Sequence, residues 1–164
     1  QKGQHLLIEA IRQSKHKIQL FIVGHCMDEK YKNKLKNISS EYNLSSHICF
    51  TGFLQSPMNY MPFFNLVVLP SYEETFGLVV AEAMLMKVPV LGSDAGGVPE
   101  IIIHESNGLL FETRNYYDLK DKIDMAIDNP ELRKKITDNG FNFVNKYYHY
   151  SSHFDKFEKI INTY

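Results

Sequence analysis

The sequence predicts an α/β domain: a mostly parallel sheet with helices on both faces. Two observations carry that reading. Short apolar runs, rich in Val, Ile and Leu and closed by Gly or Pro, alternate with longer stretches whose apolar residues recur at helical spacing. No linker, low-complexity tract or internal repeat interrupts the alternation, so residues 1–164 read as one unit. Strands separated by helices pair in parallel, each crossover helix covering a face of the sheet.

The elements follow in order. Residues 3–17 carry Leu6, Leu7, Ala10 and Ile11 at helix spacing, and 18–23 is a compact apolar run ending at Gly24. Residues 28–42 read as a charged surface helix and 48–50 as a short strand closed by Thr51-Gly52. Ser56 and Pro57 offer a cap and a first turn for a short helix to Phe63. Residues 66–69 form a third strand, stopped by Pro70; 77–87 is a helix apolar on nearly every side except at Glu82. A strand over 88–91, a flexible Asp94-Ala95-Gly96-Gly97 turn, about one helical turn over 99–104 and a last strand over 108–111 come next. Residues 116–127, 130–146 and 151–161 are amphipathic helices.

Composition narrows the function. The chain has 44% hydrophobic residues and a formal net charge of −1, so it is neither disordered nor a general nucleic-acid binder. Charge is uneven: residues 1–40 hold eight Lys/Arg against three Asp/Glu. Cys26 and Cys49 are too few for a disulfide framework, and the seven histidines include no metal-binding pair, which suits a reducing, cytoplasmic setting without a metal. The most apolar long window, 76–93, is broken by Glu82, Lys87 and Pro89 and does not read as a membrane span.

Chemistry concentrates in residues 66–100, LVVLPSYEETFGLVVAEAMLMKVPVLGSDAGGVPE. A strand ends, a polar loop follows, and a helix opens at Phe76-Gly77. Ligands of open α/β sheets sit beyond the carboxyl ends of the strands. A helix N-terminus there presents unpaired N–H groups and the positive dipole end, which suits a phosphate. Glu82, on the apolar helix, needs a partner, and the hydroxyls of a sugar or ribose would serve. The spacing alone equally fits a Glu82 that pairs with Lys, Arg or backbone and a Glu74 that caps the helix.

The segment as a whole resembles the signature of retaining, nucleotide-sugar-dependent glycosyltransferases of the GT-B fold, the group 1 or family 4 type. The matching pieces are Pro70-Ser71, Glu74-x-Phe76-Gly77, Glu82-Ala83-Met84, Pro89-Val90, Gly96-Gly97, Glu100 and Asn107 to Phe111. Lys2-Gly3 with Leu6, Leu7 and Ala10 continues the match at the other end. The resemblance implies that the chain is the Rossmann-like, C-terminal donor-binding half of such an enzyme. By that resemblance the half's first strand, an arginine a few residues before the Lys2-Gly3 pair on the loop after that strand, and the N-terminal acceptor domain would all lie before Gln1. In relatives the first strand lies inside the sheet beside the run read here as 18–23.

The resemblance also implies roles. Lys2 would neutralise the diphosphate leaving group and Glu74 would approach the donor sugar. Glu82 would hold the ribose hydroxyls. The backbone around Phe76, Gly77, Leu78 and Val79 would face the sugar and distal phosphate. Leu54 and Met58 fall where the base packs, or are ordinary core. Gly24, with His25, occupies the place of a Gly-rich turn near the phosphates. The implied enzyme needs no cofactor beyond a nucleotide-diphosphate sugar donor and no metal. It takes a glycan or lipid-linked acceptor through the other domain, and leaves room for peripheral membrane contact. The Lys30, Lys32, Lys34 and Lys36 set reads as a solvated helix face. Tyr147, Tyr148, Tyr150, Phe154 and Phe157 read mostly as core. A GT-B epimerase and a non-catalytic nucleotide-sugar-binding subunit are the alternatives, and turnover with a panel of nucleotide sugars separates them.

Overall fold

The computed structural model describes residues 2–25 and 27–148. The expected helix over 151–161 and the aromatics Tyr150, Phe154 and Phe157 lie outside them. Helices α1 (Gln4–Gln13), α2 (Glu29–Glu41), α3 (Leu78–Leu85), α4 (Val98–Ile101), α5 (Tyr116–Asp128) and α6 (Pro130–Tyr148) alternate with strands β1 (Leu20–Val23), β2 (Ile48–Gly52), β3 (Val67–Leu69), β4 (Val90–Ser93) and β5 (Leu109–Phe111). All strand pairs are parallel. They form two sheets among the described residues, β1-β2 and β3-β4-β5, so β1 and β3 each keep one edge without a ladder partner.

Helices cover both faces, and the alternation of strand residues explains how. Leu91 of β4 joins Leu109 and Phe111 of β5 beneath Leu6, Leu7, Ala10 and Ile11 of α1 and Leu119, Ile123 and Ala126 of α5. Its neighbour Val90 points the other way, into Val80, Ala83 and Met84 of α3, Ile101 of α4 and Val144 of α6. A smaller cluster joins Ile8 of α1 to Leu35 of α2 and Ile48 of β2. β4 is buried at all four positions, as a central parallel strand should be.

Local chemistry sets the ends. Asp28 caps α2 through the N–H groups of Lys30 and Tyr31, and Asn115 caps α5 through Tyr117 and Asp118. The helix read over 77–87 stops at Leu85 because Lys87 turns left-handed (φ 55°) and the Val88 N–H reaches back to the Ala83 carbonyl at 2.9 Å. Residues 57–63 do form a helix, but a 3₁₀ one, and the Ser56 side chain makes no capping bond. Pro62 inside the segment lacks the N–H an α-helical ladder needs. No described helix is long and apolar enough to cross a membrane.

Candidate functional site at the carboxyl ends of the strands

Parallel pairing brings the segments that follow β3, β4 and β5 to one edge of the molecule. The loop after β3, Pro70–Phe76, carries Glu74. Its carboxylate oxygen Oε2 accepts from Lys2 Nζ at 2.9 Å, across 72 residues of sequence. Ser71 Oγ stands 3.4 Å from the same oxygen, and the Gly77 backbone favours the charged carboxylate. The Lys2 hydrogen bond, against the opposing effect of burial, holds the Glu74 carboxyl below its ordinary value; the Lys2 charge, Gly77 and Ser71 add to the depression. Lys2 itself keeps 60% of its side chain exposed, against 17% for Glu74, so the ammonium faces solvent at the site's mouth.

Close backbone approaches fix this loop. A Cβ on Gly3 would lie 1.9 Å from the Pro70 carbonyl oxygen, one on Gly96 2.1 Å from the Glu74 carbonyl oxygen, and one on Gly97 2.4 Å from that of Thr75. No side chain fits at these positions, and Gly3 and Gly96 also take positive φ. The Gly97 N–H donates to the Glu74 carbonyl at 2.8 Å. Ser93, fully buried at the end of β4, donates its hydroxyl to the Ser71 carbonyl. The turn read as flexible is therefore a tight buttress behind Glu74, and Gly3 seats Lys2 on the same loop from the other side.

Beyond Glu74 the chain turns through Gly77 (φ 67°) into α3, and no side chain caps that helix. The first N–H groups, those of Leu78 and Val79, have no intrahelical acceptor and open beside Glu74. The Val80 N–H already closes onto the Gly77 carbonyl at 2.8 Å. Phe76 and Leu78 are exposed at 48% and 63%. This is a place where an anion can be held by backbone, dipole and the Lys2 ammonium together. Glu82 stands one helical turn further on. It is half-buried rather than enclosed, and its carboxylate has no hydrogen-bond or ion-pair partner among the described residues, so the pairing with Lys, Arg or backbone that the bare spacing allowed is not made.

The remaining predicted positions divide. Gly24, with His25 exposed beside it, ends β1 on an open turn where its N–H donates to the Gly52 carbonyl at 3.0 Å. Met58 packs on the core cluster that contains Val80 and Met84, while Leu54 is half-buried and joins no cluster. The Lys2–Glu74 pair and the α3 N-terminus are therefore brought together, whereas nothing bonds Gly24, Leu54 or Met58 directly to them. Two participants went unread in the sequence. His5 and Tyr72 form a hydrogen bond of 2.7 Å between the first turn of α1 and the Glu74 loop. Neither carries a motif, and only the fold makes them neighbours. No group of three or more His, Cys, Asp or Glu able to hold a metal occurs among the described residues.

The fold and the position of this site define the Rossmann-like half of a GT-B protein. The chain belongs to the glycosyl transferases group 1, whose family model matches residues 1–143. It is 38% identical over 149 residues to an uncharacterized glycosyltransferase of Methanocaldococcus jannaschii, covering 90% of this chain and 41% of that protein. The Anabaena protein Alr3699/HepE, solved in complex with UDP and glucose, superposes with a TM-score of 0.92 at 26% identity, over 99% of this chain and 45% of that one. The C-terminal domain of the group 1 protein LpcC from Francisella tularensis matches with a TM-score of 0.81 at 32% identity, over 90% of this chain and 80% of that domain. The chain thus spans less than half the length of the curated relatives it matches.

Proposed function

We propose that this chain is the donor-binding half of a retaining glycosyltransferase that moves a hexose-type sugar from a nucleotide-diphosphate sugar to an acceptor. The observation that carries the reading is the Lys2–Glu74 pair set beside the uncapped N-terminus of α3. An ammonium and unpaired N–H groups suit a diphosphate that gains negative charge as it leaves. A carboxylate four to five residues before them suits the hydroxyls of the sugar attached to it.

In the absence of ligand Lys2 and Glu74 neutralise each other. A bound donor replaces that pair: the diphosphate takes Lys2 and the α3 N–H groups of Leu78 and Val79, and Glu74 turns to the sugar hydroxyls. The backbone at Phe76 and Gly77 lines the same passage. Glu82, free of protein partners, accepts from the ribose hydroxyls; Leu54 and Met58 flank the base, and Gly24 lets the β1 turn come close to the phosphates. No metal or further cofactor is needed, because the positive groups already present match the leaving group. The acceptor, a glycan or lipid-linked glycan of an envelope polysaccharide or glycolipid, is held by the other half of the protein. That half, or a neighbouring segment, also supplies a strand for the free edges of β1 and β3. The work is done in the cytoplasm, with peripheral contact to the membrane. The Anabaena neighbour's complexes with UDP, glucose and UDP-glucose support the choice of donor.

The test is Glu74→Ala in the whole protein, assayed with a panel of nucleotide sugars. Turnover falls by about 100-fold or more, while affinity for the bare nucleotide diphosphate changes by less than about threefold, since that ligand lacks the sugar Glu74 touches. Equal losses for nucleotide and nucleotide sugar would contradict this division of roles, and wild-type turnover of no nucleotide sugar would remove the reading altogether.

A further inference from the structure

The bond between α1 and the Glu74 loop has a direction. His5 lies in the first turn of α1, three residues beyond Lys2. Its Nδ1 stands 3.0 Å from the Tyr31 hydroxyl of α2, and its Nε2 2.7 Å from the Tyr72 hydroxyl. Both tyrosine rings meet the imidazole edge-on, with centroids 6.1 and 5.8 Å away. The Tyr31 oxygen also accepts the His5 backbone N–H at 3.4 Å. An oxygen already receiving an N–H has its own proton to give, and the nearest acceptor is Nδ1. In the tautomer that carries its proton at Nε2, the Tyr31 hydroxyl gives its proton to Nδ1 and His5 donates to Tyr72. Burial, joined by the Lys34 charge and against Glu9, holds His5 below its usual value, which keeps the ring neutral.

Tyr72 is held on a second side. The Arg114 guanidinium, at the end of β5, lies 5.1 Å from its ring centroid. Tyr72 is two residues from Glu74, and Pro70, two residues before it, is the group that closes on Gly3. The Glu74 loop is therefore gripped at Pro70 by shape and at Tyr72 by a hydrogen bond, and both grips come from the turn that carries Lys2.

We propose that His5 is a positioning residue: by donating to Tyr72 it pins the Glu74 loop onto the first turn of α1 and so sets the separation of Lys2 and Glu74. The role rests on the donor-site reading of that pair. It adds to it a determinant outside the motif, since neither His5 nor Tyr72 need touch the donor. Without the bond, Gly3, Ser93 and Gly97 still hold the loop backbone, but Tyr72 loses its hydrogen bond to α1 and the separation of Glu74 from the ammonium shifts. The effect falls on geometry at the reacting end of the donor and leaves the distant nucleotide contacts in place.

Three variants test this. Tyr72→Phe keeps the ring and its Arg114 contact and removes only the hydroxyl; His5→Ala removes the donor; His5→Gln puts an amide N–H near the place of Nε2. The first readout is the titration of the Glu74 carboxyl, followed by carbon NMR. In Tyr72→Phe and His5→Ala the midpoint rises toward the ordinary 4.5, and in His5→Gln it returns to the depressed wild-type value. The second is kinetic: kcat with the nucleotide-sugar donor falls about tenfold in the first two variants, while the Kd of the bare nucleotide diphosphate changes less than about threefold and His5→Gln recovers most of the loss. A Glu74 midpoint unmoved by either variant, or losses of kcat and affinity that follow thermal stability with no recovery in His5→Gln, would overturn the proposal. If the wild-type protein transfers no sugar at all, the donor-site reading falls, and the Glu74 titration still decides whether His5 places the carboxylate.

Discussion

Glycines stand at both ends of the sheet edge that carries the site, and the two sets are built differently. Around the Glu74 loop a Cβ on Gly3, Gly96 or Gly97 would meet carbonyl oxygens at 1.9–2.4 Å, whereas one on Gly24 or Gly52, after β1 and β2, would meet nothing within 4 Å. Gly52 has φ 70° and Gly24 φ 134°, so these two serve backbone conformation alone. The first set locks three segments of chain against one another. The second leaves a surface with room above it, next to the exposed Phe53. The end proposed to hold the sugar is thus fixed in shape, and the end proposed to meet the base, with the Gly24 turn that comes close to the phosphates, is open. The two carboxylates differ as well: that of Glu74 is bound by Lys2 and Ser71, and that of Glu82 by no described side chain.

Substitutions can break this contrast or sharpen it. The largest expected effect is Gly96→Ala, which forces a methyl into the Glu74 carbonyl at a left-handed position. It costs about 2–4 kcal/mol of stability, read from urea midpoints, and a loss under about 1 kcal/mol would mean the loop yields easily. Next comes Glu82→Ala. It weakens nucleotide diphosphate binding by about 2–3 kcal/mol in calorimetry yet changes stability by less than about 0.5 kcal/mol, because no protein partner is lost. The reverse pattern would make Glu82 structural. Gly52→Ala, at similar φ to Gly96 but in open space, costs only the conformational term, about 1 kcal/mol. Equal costs at Gly52 and Gly96 would erase the distinction between the two ends.

The smallest effect is that of pH on the Lys2–Glu74 pair. The folded carboxyl lies below its ordinary 4.5, so the pair contributes stability that is fully present above that value and is lost as pH falls through the lower folded value. Solvent around the exposed ammonium limits the contribution to under about 1 kcal/mol. Urea midpoints of wild type and Glu74→Gln should therefore differ slightly near pH 6 and converge below the folded titration point. A difference that grows in acid would reverse the sign of the coupling.

Much of this architecture is legible in the residues, for reasons that also mark the limits. The alternation of strands and helices shows in periodicity, because each element buries one stripe or one face. Asp28 reads as an end of α2 because a side-chain cap is a local event, and Ser56 misleads because its hydroxyl makes no capping bond to the 3₁₀ turn that follows. The strand over 88–91 in fact starts at Val90, since Val88 is spent closing the end of α3. The family resemblance put Lys2 and Glu74 at one donor site in separate roles, and only the structure pairs them; spacing could not join residues 72 apart. His5–Tyr72 and Gly3–Pro70 had no local signal, being consequences of how α1 docks on the β3 loop.

The distance in sequence between Lys2 and Glu74 also has a meaning in time. Closing a loop of that length costs entropy before the contact returns anything, so such contacts form late in folding, after α1 and the β3 loop have each docked on the core. The site is then absent from partly folded chains and from the transition state. A ligand that bridges these groups acts on the exit from the native state alone: in stopped-flow experiments, nucleotide diphosphate should slow unfolding in proportion to its binding energy and leave the refolding rate unchanged.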